Sequence, residues 1–314
     1  MNLPIFLQPV FQERIWGGTK LKDLFNYPIP NNSTGECWAI SAHPNGQSIV
    51  KGGVFQGMSL GELWNSKPEL FGSSSPVFPL LTKILDASDN LSVQVHPDDG
   101  YADKNENGEL GKTECWYILD AEPDATIIYG HEASSKQELE YMIQSGEWEK
   151  LLRKIPVKQG DFFYVPSGTL HALGKGIVVL ETQQSSDTTY RVYDYGRRDN
   201  NGNLRELHLG KAIEVTTTPQ IHVPSSYVTQ KYDGLYKTKF VSNSYFTVEK
   251  WEIINKTKLP AHPKYSLISV IEGNGYIFIQ DGKYRLNKGD HLILPVDCGP
   301  YEIDGMIQLI ISRE

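Results

Sequence analysis

The stretch LSVQVHPDDG, residues 91–100, carries an amide and an imidazole on an otherwise apolar strand. Gln94 and His96 are two residues apart, so a β-strand turns both to one face while Leu91, Val93 and Val95 take the other. Pro97, Asp98 and Asp99 then end the strand. Such a face either meets solvent, the commoner fate of polar side chains, or aims both groups at something inside. A second histidine comes after a run of turn signals. Gly160-Asp161 forms a turn, FFYV reads as a strand, and Pro166 and Gly168 make a tight corner that delivers His171 onto the next strand. Imidazole is both a metal ligand and an acid–base group; taken alone, His171 reads equally well as a hydrogen-bonded core histidine.

The elements that must position these residues are mostly short β-type runs broken by Gly, Pro, Asn and Asp. Strands are expected over 78–85, 91–96, 114–119, 125–130, 161–166, 176–183, 188–193, 245–253, 265–273, 275–280 and 291–295. Helical patterning is confined to 134–146, which opens on a serine cap, a second short helix over 147–155, and weaker segments at 207–215 and 59–65. Residues 217–244 lose periodicity and read as a connection between two β-rich parts. A weak repeat supports that division: GDFFYVP at 160–166 matches GDHLILP at 289–295, but the second copy has no histidine beyond its proline to match His171. The expected fold is mainly β. It has two β-sandwich or jelly-roll barrels, the first over 1–230 with a small helical insertion near 134–155, the second over 231–314 and structural.

Composition narrows the function classes. The 314 residues carry a formal net charge of −8 and no basic run, which argues against a nucleic-acid partner. No apolar run of about 18 residues exists, so no membrane span is expected. The N-terminal segment lacks signal-peptide features, and Cys37, Cys115 and Cys298 stand far apart without a CxxC pair. A cytoplasmic protein is expected, with a monomer favoured.

The spacing Gly160-x5-Pro166-x-Gly168-x2-His171 resembles the second conserved motif of the cupin β-barrels, with Lys175 where an asparagine is usual. Cupins bind a metal through histidines and a carboxylate on separate strands. The matching donors upstream are Gln94, His96 and Glu114, the last opening the apolar strand ECWYIL. Imidazole plus carboxylate suits zinc, while iron or manganese would accept the same ligands.

LSVQVHPDD, KTECWYIL and VPSGTLHAL together resemble type I phosphomannose isomerase in its short bacterial form. ERIWGG at 13–18, GECWAIS at 35–41 and SSDTTYRVYDYGR at 185–197 are similar to further segments of that family, in order. The resemblance implies one zinc ion per chain on Gln94, His96, Glu114 and His171, with Arg191 a substrate-contacting catalytic residue. It also implies a substrate-contacting role for Lys112. Longer family members carry a histidine where this chain has Gly111, so that residue's role does not carry over.

The implied reaction interconverts mannose 6-phosphate and fructose 6-phosphate by moving a proton between C1 and C2 through a cis-enediol. Lys112, its pKa lowered beside zinc, and a zinc-bound hydroxide are the two candidate bases. Lys175, Arg197 and Arg198 are candidate phosphate cations. Two other readings stand beside the isomerase: a metal-dependent cupin oxygenase and a non-catalytic sugar-binding cupin.

Overall fold

The computed structural model describes residues 3–198, 202–220 and 227–314. They form three sheets, of six, five and ten strands. The six-stranded sheet runs in the order Phe162–Val165, Glu114–Ala121, Ile177–Gln184, Leu80–Ala87, Thr34–Ile40, Val10–Gly18. The five-stranded sheet runs Tyr190–Tyr193, Val93–Val95, His171–Leu173, Thr126–His131, Leu152–Pro156. These two sheets share a core that includes Trp16, Leu85, Leu91, Trp116, Ile118, Ile127, Val165, Leu173 and Val179.

The alternation in LSVQVH has a direct structural reading. Val93 and Val95 pack outward against the helices Lys136–Gln144, Trp148–Leu151 and Leu209–Val215, with Leu139, Ile143, Leu151 and Ala212 in the same cluster. Gln94 and His96 are left to the opposite face. The serine cap expected at 134–146 is Ser135, whose side chain accepts from the Glu138 backbone N–H. The far face of the six-stranded sheet is apolar too. Cys37, Ile84, Cys115, Tyr117 and Leu180 pack against Ile5, Leu7, Val248, Leu267, Ile293 and Ile310 of the ten-stranded sheet. The other face of that sheet closes on a core of its own, with Trp251, Ile268, Leu292, Leu309 and Ile311.

The ten-stranded sheet draws on both ends of the chain. Strands Ile5–Gln8 and Ile49–Val50 join it, with Ile5 opposite Ile293.

Several segments differ from their expected form. Residues 147–155 are not one helix: Trp148–Leu151 is helical, and Leu152–Pro156 is a strand paired with Thr126–His131. The loose stretch 217–244 holds two strands, Val228–Tyr232 and Leu235–Ser242. All five residues of the first are exposed, so it carries no apolar alternation to read. The turn after His96 leads into a helix, Asp99–Asn105, capped by Asp98. The expected strands 265–273 and 275–280 are one continuous strand, Ser266–Ile279, with a register shift between Val270 and Glu272.

Candidate metal centre and active site

The inner faces of the five- and six-stranded sheets bring His96, Glu114 and His171 together. Their donor atoms all lie within 4.8 Å of one another. Glu114 Oε2 is 3.4 Å from His96 Nε2, and Glu114 Oε1 is 3.4 Å from His171 Nε2. All three side chains are buried. Gly168 sits at the corner before His171 with φ +80, and a Cβ there would come within 2.4 Å of Thr217 Oγ1, so the corner needs glycine.

The histidines are oriented from behind. His96 Nδ1 lies 2.9 Å from the Thr188 carbonyl oxygen, and His171 Nδ1 lies 2.8 Å from that of Thr169. A carbonyl accepts, so each ring carries its proton on Nδ1 and presents a bare Nε2 to the interior. Neither Nε2 has a hydrogen-bond partner, and neither Glu114 oxygen has one. Four buried polar atoms without a hydrogen bond at one point, only Glu114 Oε2 having an ion-pair partner in Lys112, are costly unless something binds there. Two imidazoles and a carboxylate suit a divalent metal, so the cluster fits the ion that the sequence implies.

Protonation favours the same use. Burial pushes His96 down to about 3, helped by the Lys112 charge, and burial lowers His171 as well. Burial alone would raise Glu114, but Lys112, His171 and His96 outweigh it and hold the carboxyl well below its usual range. Neutral imidazole and ionised carboxylate are the ligating forms.

Gln94 and Arg191 flank this cluster. Gln94 is half-buried and pairs with His171 on one side and with Arg191 on the other. Paired residues on adjacent strands share a face, so Arg191, Gln94 and His171 form one row across three strands. Arg191 Nη1 donates to the Glu206 carbonyl at 2.7 Å, while its Nε is buried without a partner. Asp194 binds Arg197 and Arg205, and both guanidiniums bear on Arg191 electrostatically. Glu206 also acts on Arg191 and Asp89 lies 3.6 Å from Arg197, so these three guanidiniums are offset by three carboxylates.

Lys112 Nζ lies 3.2 Å from Glu114 Oε2 and is buried. Burial favours the neutral amine, but Glu114, Glu181 and Asp187 outweigh it and raise the pKa. These three carboxylates favour the cationic form of Lys112. The glycine before it is also explained. A Cβ on Gly111 would fall 2.4 Å from the Asp99 backbone nitrogen, so this loop path has no room for the histidine of longer relatives.

Of the three further cations, Lys175 is exposed in the turn before Ile177–Gln184, its backbone N–H donating to Asn90 Oδ1 at 2.8 Å. Arg197 binds Asp194 and the Asn90 carbonyl, and Arg198 donates to the Gly202 carbonyl at 2.6 Å. Lys175 and Arg197 thus gather at Asn90, whereas His96 lies beyond the other end of Val93–Val95.

Two interior charges escaped the sequence reading. Glu181 and Lys83 face each other in register, both buried, with Glu181 Oε1 4.0 Å from Lys83 Nζ. Trp116 Nε1 donates to Glu181 Oε2 at 3.0 Å. Burial, with the Glu114 charge, pushes Glu181 up to about 7. The available signal was a charge inside IVVLETQQ and LLTKILDA, strands whose residues are buried on both faces.

Sheet architecture and site together define a cupin with a buried cluster that could hold a metal ion. The family model "Phosphomannose isomerase type I, catalytic domain" matches residues 5–119, and "Mannose-6-phosphate isomerase, cupin domain" matches 236–314. The mannose-6-phosphate isomerase ManA of Bacillus subtilis (strain 168) is 54% identical, over 99% of this chain and 98% of its own. That of Streptococcus mutans is 55% identical, over 100% and 99%. The crystal structure of a Bacillus subtilis mannose 6-phosphate isomerase superposes with a TM-score of 0.96 at 54% identity, covering 98% of this chain and 99% of that one. A mannose 6-phosphate isomerase bound with zinc and yttrium shares the fold, with a TM-score of 0.81 at 16% identity over 99% of both chains. The chain belongs to the type I phosphomannose isomerase family. The oxygenase and non-catalytic readings are left without support.

Proposed function

We propose that this chain is an aldose–ketose isomerase that interconverts mannose 6-phosphate and fructose 6-phosphate, with one zinc ion per chain held by His96, Glu114, His171 and Gln94. The carrying observation is the convergence of four buried atoms without a hydrogen bond: His96 Nε2, His171 Nε2 and both Glu114 oxygens. Zinc bound there supplies a Lewis acid toward the sugar's oxygens.

The chain's own residues do the rest. Arg191, one strand beyond Gln94, offers a permanent planar cation to the O1/O2 end of the substrate as enediolate charge develops. Lys112 adds a second cation beside Glu114. A proton carrier between C1 and C2 must stand on the same inner face as the cluster, and Glu181 does: it lies two residues along its strand from Gln183, the register partner of Glu114, and burial raises its carboxyl. Arg191 and Lys112, the two cations beside the cluster, favour an anionic sugar over a neutral one.

On this reading the part of 1–230 that forms the five- and six-stranded sheets carries the chemistry, and 231–314, with the strands Ile5–Gln8, Ile49–Val50 and Val228–Tyr232 that join its sheet, is a cupin-like unit without the metal histidine. A cytoplasmic monomer suits three free, buried cysteines and the absence, among the described residues, of a helix long and apolar enough to cross a membrane.

The test is fructose 6-phosphate formation from mannose 6-phosphate before chelation, after it, and with zinc restored. Turnover should vanish with the metal and return with it. No turnover in the zinc-loaded chain would sink the reading.

A further inference from the structure

The C-terminal unit has a cavity of its own, about 250 Å³, lined by residues of Leu235–Ser242, Thr247–Ile253, Thr257–Leu259 and Tyr301–Arg313. Trp251 forms one wall. Lys237 Nζ lies 5.1 Å from the ring centre of Trp251, and the Arg313 guanidinium carbon lies 5.5 Å from it. One oxygen of Glu249 takes Lys237 Nζ at 3.0 Å, Arg313 Nη1 at 3.1 Å and Trp251 Nε1 at 3.0 Å. Two cations thus share one carboxylate, and a positive charge is left over at the cavity wall. Arg313 also donates from Nε to Ser266 Oγ at 2.8 Å, which uses two of its five N–H groups.

Tyr301 supplies the second observation. It is 5% exposed and lines the cavity. Its hydroxyl has no hydrogen-bond partner among the described residues, although Arg313 acts on it electrostatically. The Tyr301 hydroxyl is therefore free to donate into the cavity, beside two cations that share one carboxylate. A donor excess over an indole wall suits an anionic group attached to a small carbon body.

We propose that this cavity is a second, non-catalytic binding site for a small phosphate-bearing metabolite. The phosphate oxygens meet Lys237, Arg313 and Tyr301, and the rest of the molecule lies on Trp251. Free phosphate and a sugar phosphate share the required chemistry, so both serve as probes.

Isothermal titration of the metal-loaded full chain with inorganic phosphate, and separately with fructose 6-phosphate, counts sites per chain. The Lys237→Met/Tyr301→Phe variant should show one site fewer than the wild type with at least one probe, while its turnover stays within about twofold. The probe that loses the site identifies the source. Equal counts in wild type and variant with both probes would overturn the proposal. Tyr301→Phe alone, which keeps the ring, should weaken the second site about tenfold, as loss of a hydrogen bond to a charged group does; unchanged affinity would remove Tyr301 from the site. Loss of a site with normal turnover bears on this cavity alone, whereas absent turnover in the wild type bears on the isomerase reading.

Discussion

The two β-units both bury charge, but they treat it differently. In the first, the buried polar atoms of His96, Glu114 and His171 point at one another and are left without a hydrogen bond. In the second, the buried acceptors are the satisfied groups: Glu249 takes Lys237, Arg313 and Trp251, leaving only donors over at the cavity wall, and His291 sits between the Tyr27 hydroxyl at 2.7 Å and Ser269 Oγ at 2.9 Å. The same turn, Gly-Asp before a strand ending in proline, begins both arrangements. Beyond the proline the two copies diverge: one turns a corner ending in His171, and the other runs on as Val296-Asp297-Cys298. A satisfied polar group stabilises the unit that holds it, whereas an unsatisfied cluster waits for a ligand.

That contrast can be broken most severely at His171. His171→Ala should lose the metal and cut kcat about a thousandfold or more, read as metal content by mass spectrometry beside turnover. Full occupancy in the variant would remove His171 from the ligand set. Arg191→Ala should keep the metal and lower kcat about a hundredfold to a thousandfold; an unchanged kcat would end its catalytic role. For Glu181→Gln we expect a fall of about a hundredfold in kcat, together with loss of the pH–rate limb near neutrality. A retained limb would place the proton carrier elsewhere.

The second unit should answer in stability instead of rate. Removing the charge of Glu249 with Glu249→Gln strands Lys237 and Arg313, and should cost about 3 kcal/mol in urea unfolding with turnover preserved at 25 °C. The smallest effect near neutral pH is a titration, which grows only as the solution is acidified. Burial holds His291 down to about 3, so the unfolded chain takes up its proton first as pH falls. Its neutral form contributes fully above about pH 6.5, and stability then drops by about 1.4 kcal/mol per pH unit until about pH 3. His291→Asn should remove one proton from that slope whether or not the metal is present. An equal slope in the variant would contradict the assignment.

Much of the site was legible because alternation and turn chemistry are local. Gln94 and His96 share a face by period two, Glu114 opens its strand, and the Pro166–Gly168 corner places His171, and each of these can be read from a few residues. Glu181 and Lys83 were not legible, since a strand buried on both faces has no alternation to interrupt. Helix Asp99–Asn105 was missed because only Ala102 is buried in it, too little for an apolar stripe. Strand Val228–Tyr232 has an exposed pattern throughout. The pairing of Ile5 with Ile293 depends on long-range register that no local pattern encodes.

That pairing has a consequence for the chain's birth. Strand Ile5–Gln8 leaves the ribosome about 280 residues before its partner strand His291–Leu294. The ten-stranded sheet cannot close until His291–Leu294 has been made, and until then the apolar residues Ile5 and Leu7 have no native cover from Ile293. The enzyme should therefore complete its fold late, with the N-terminal strand acting as the final latch between the two units.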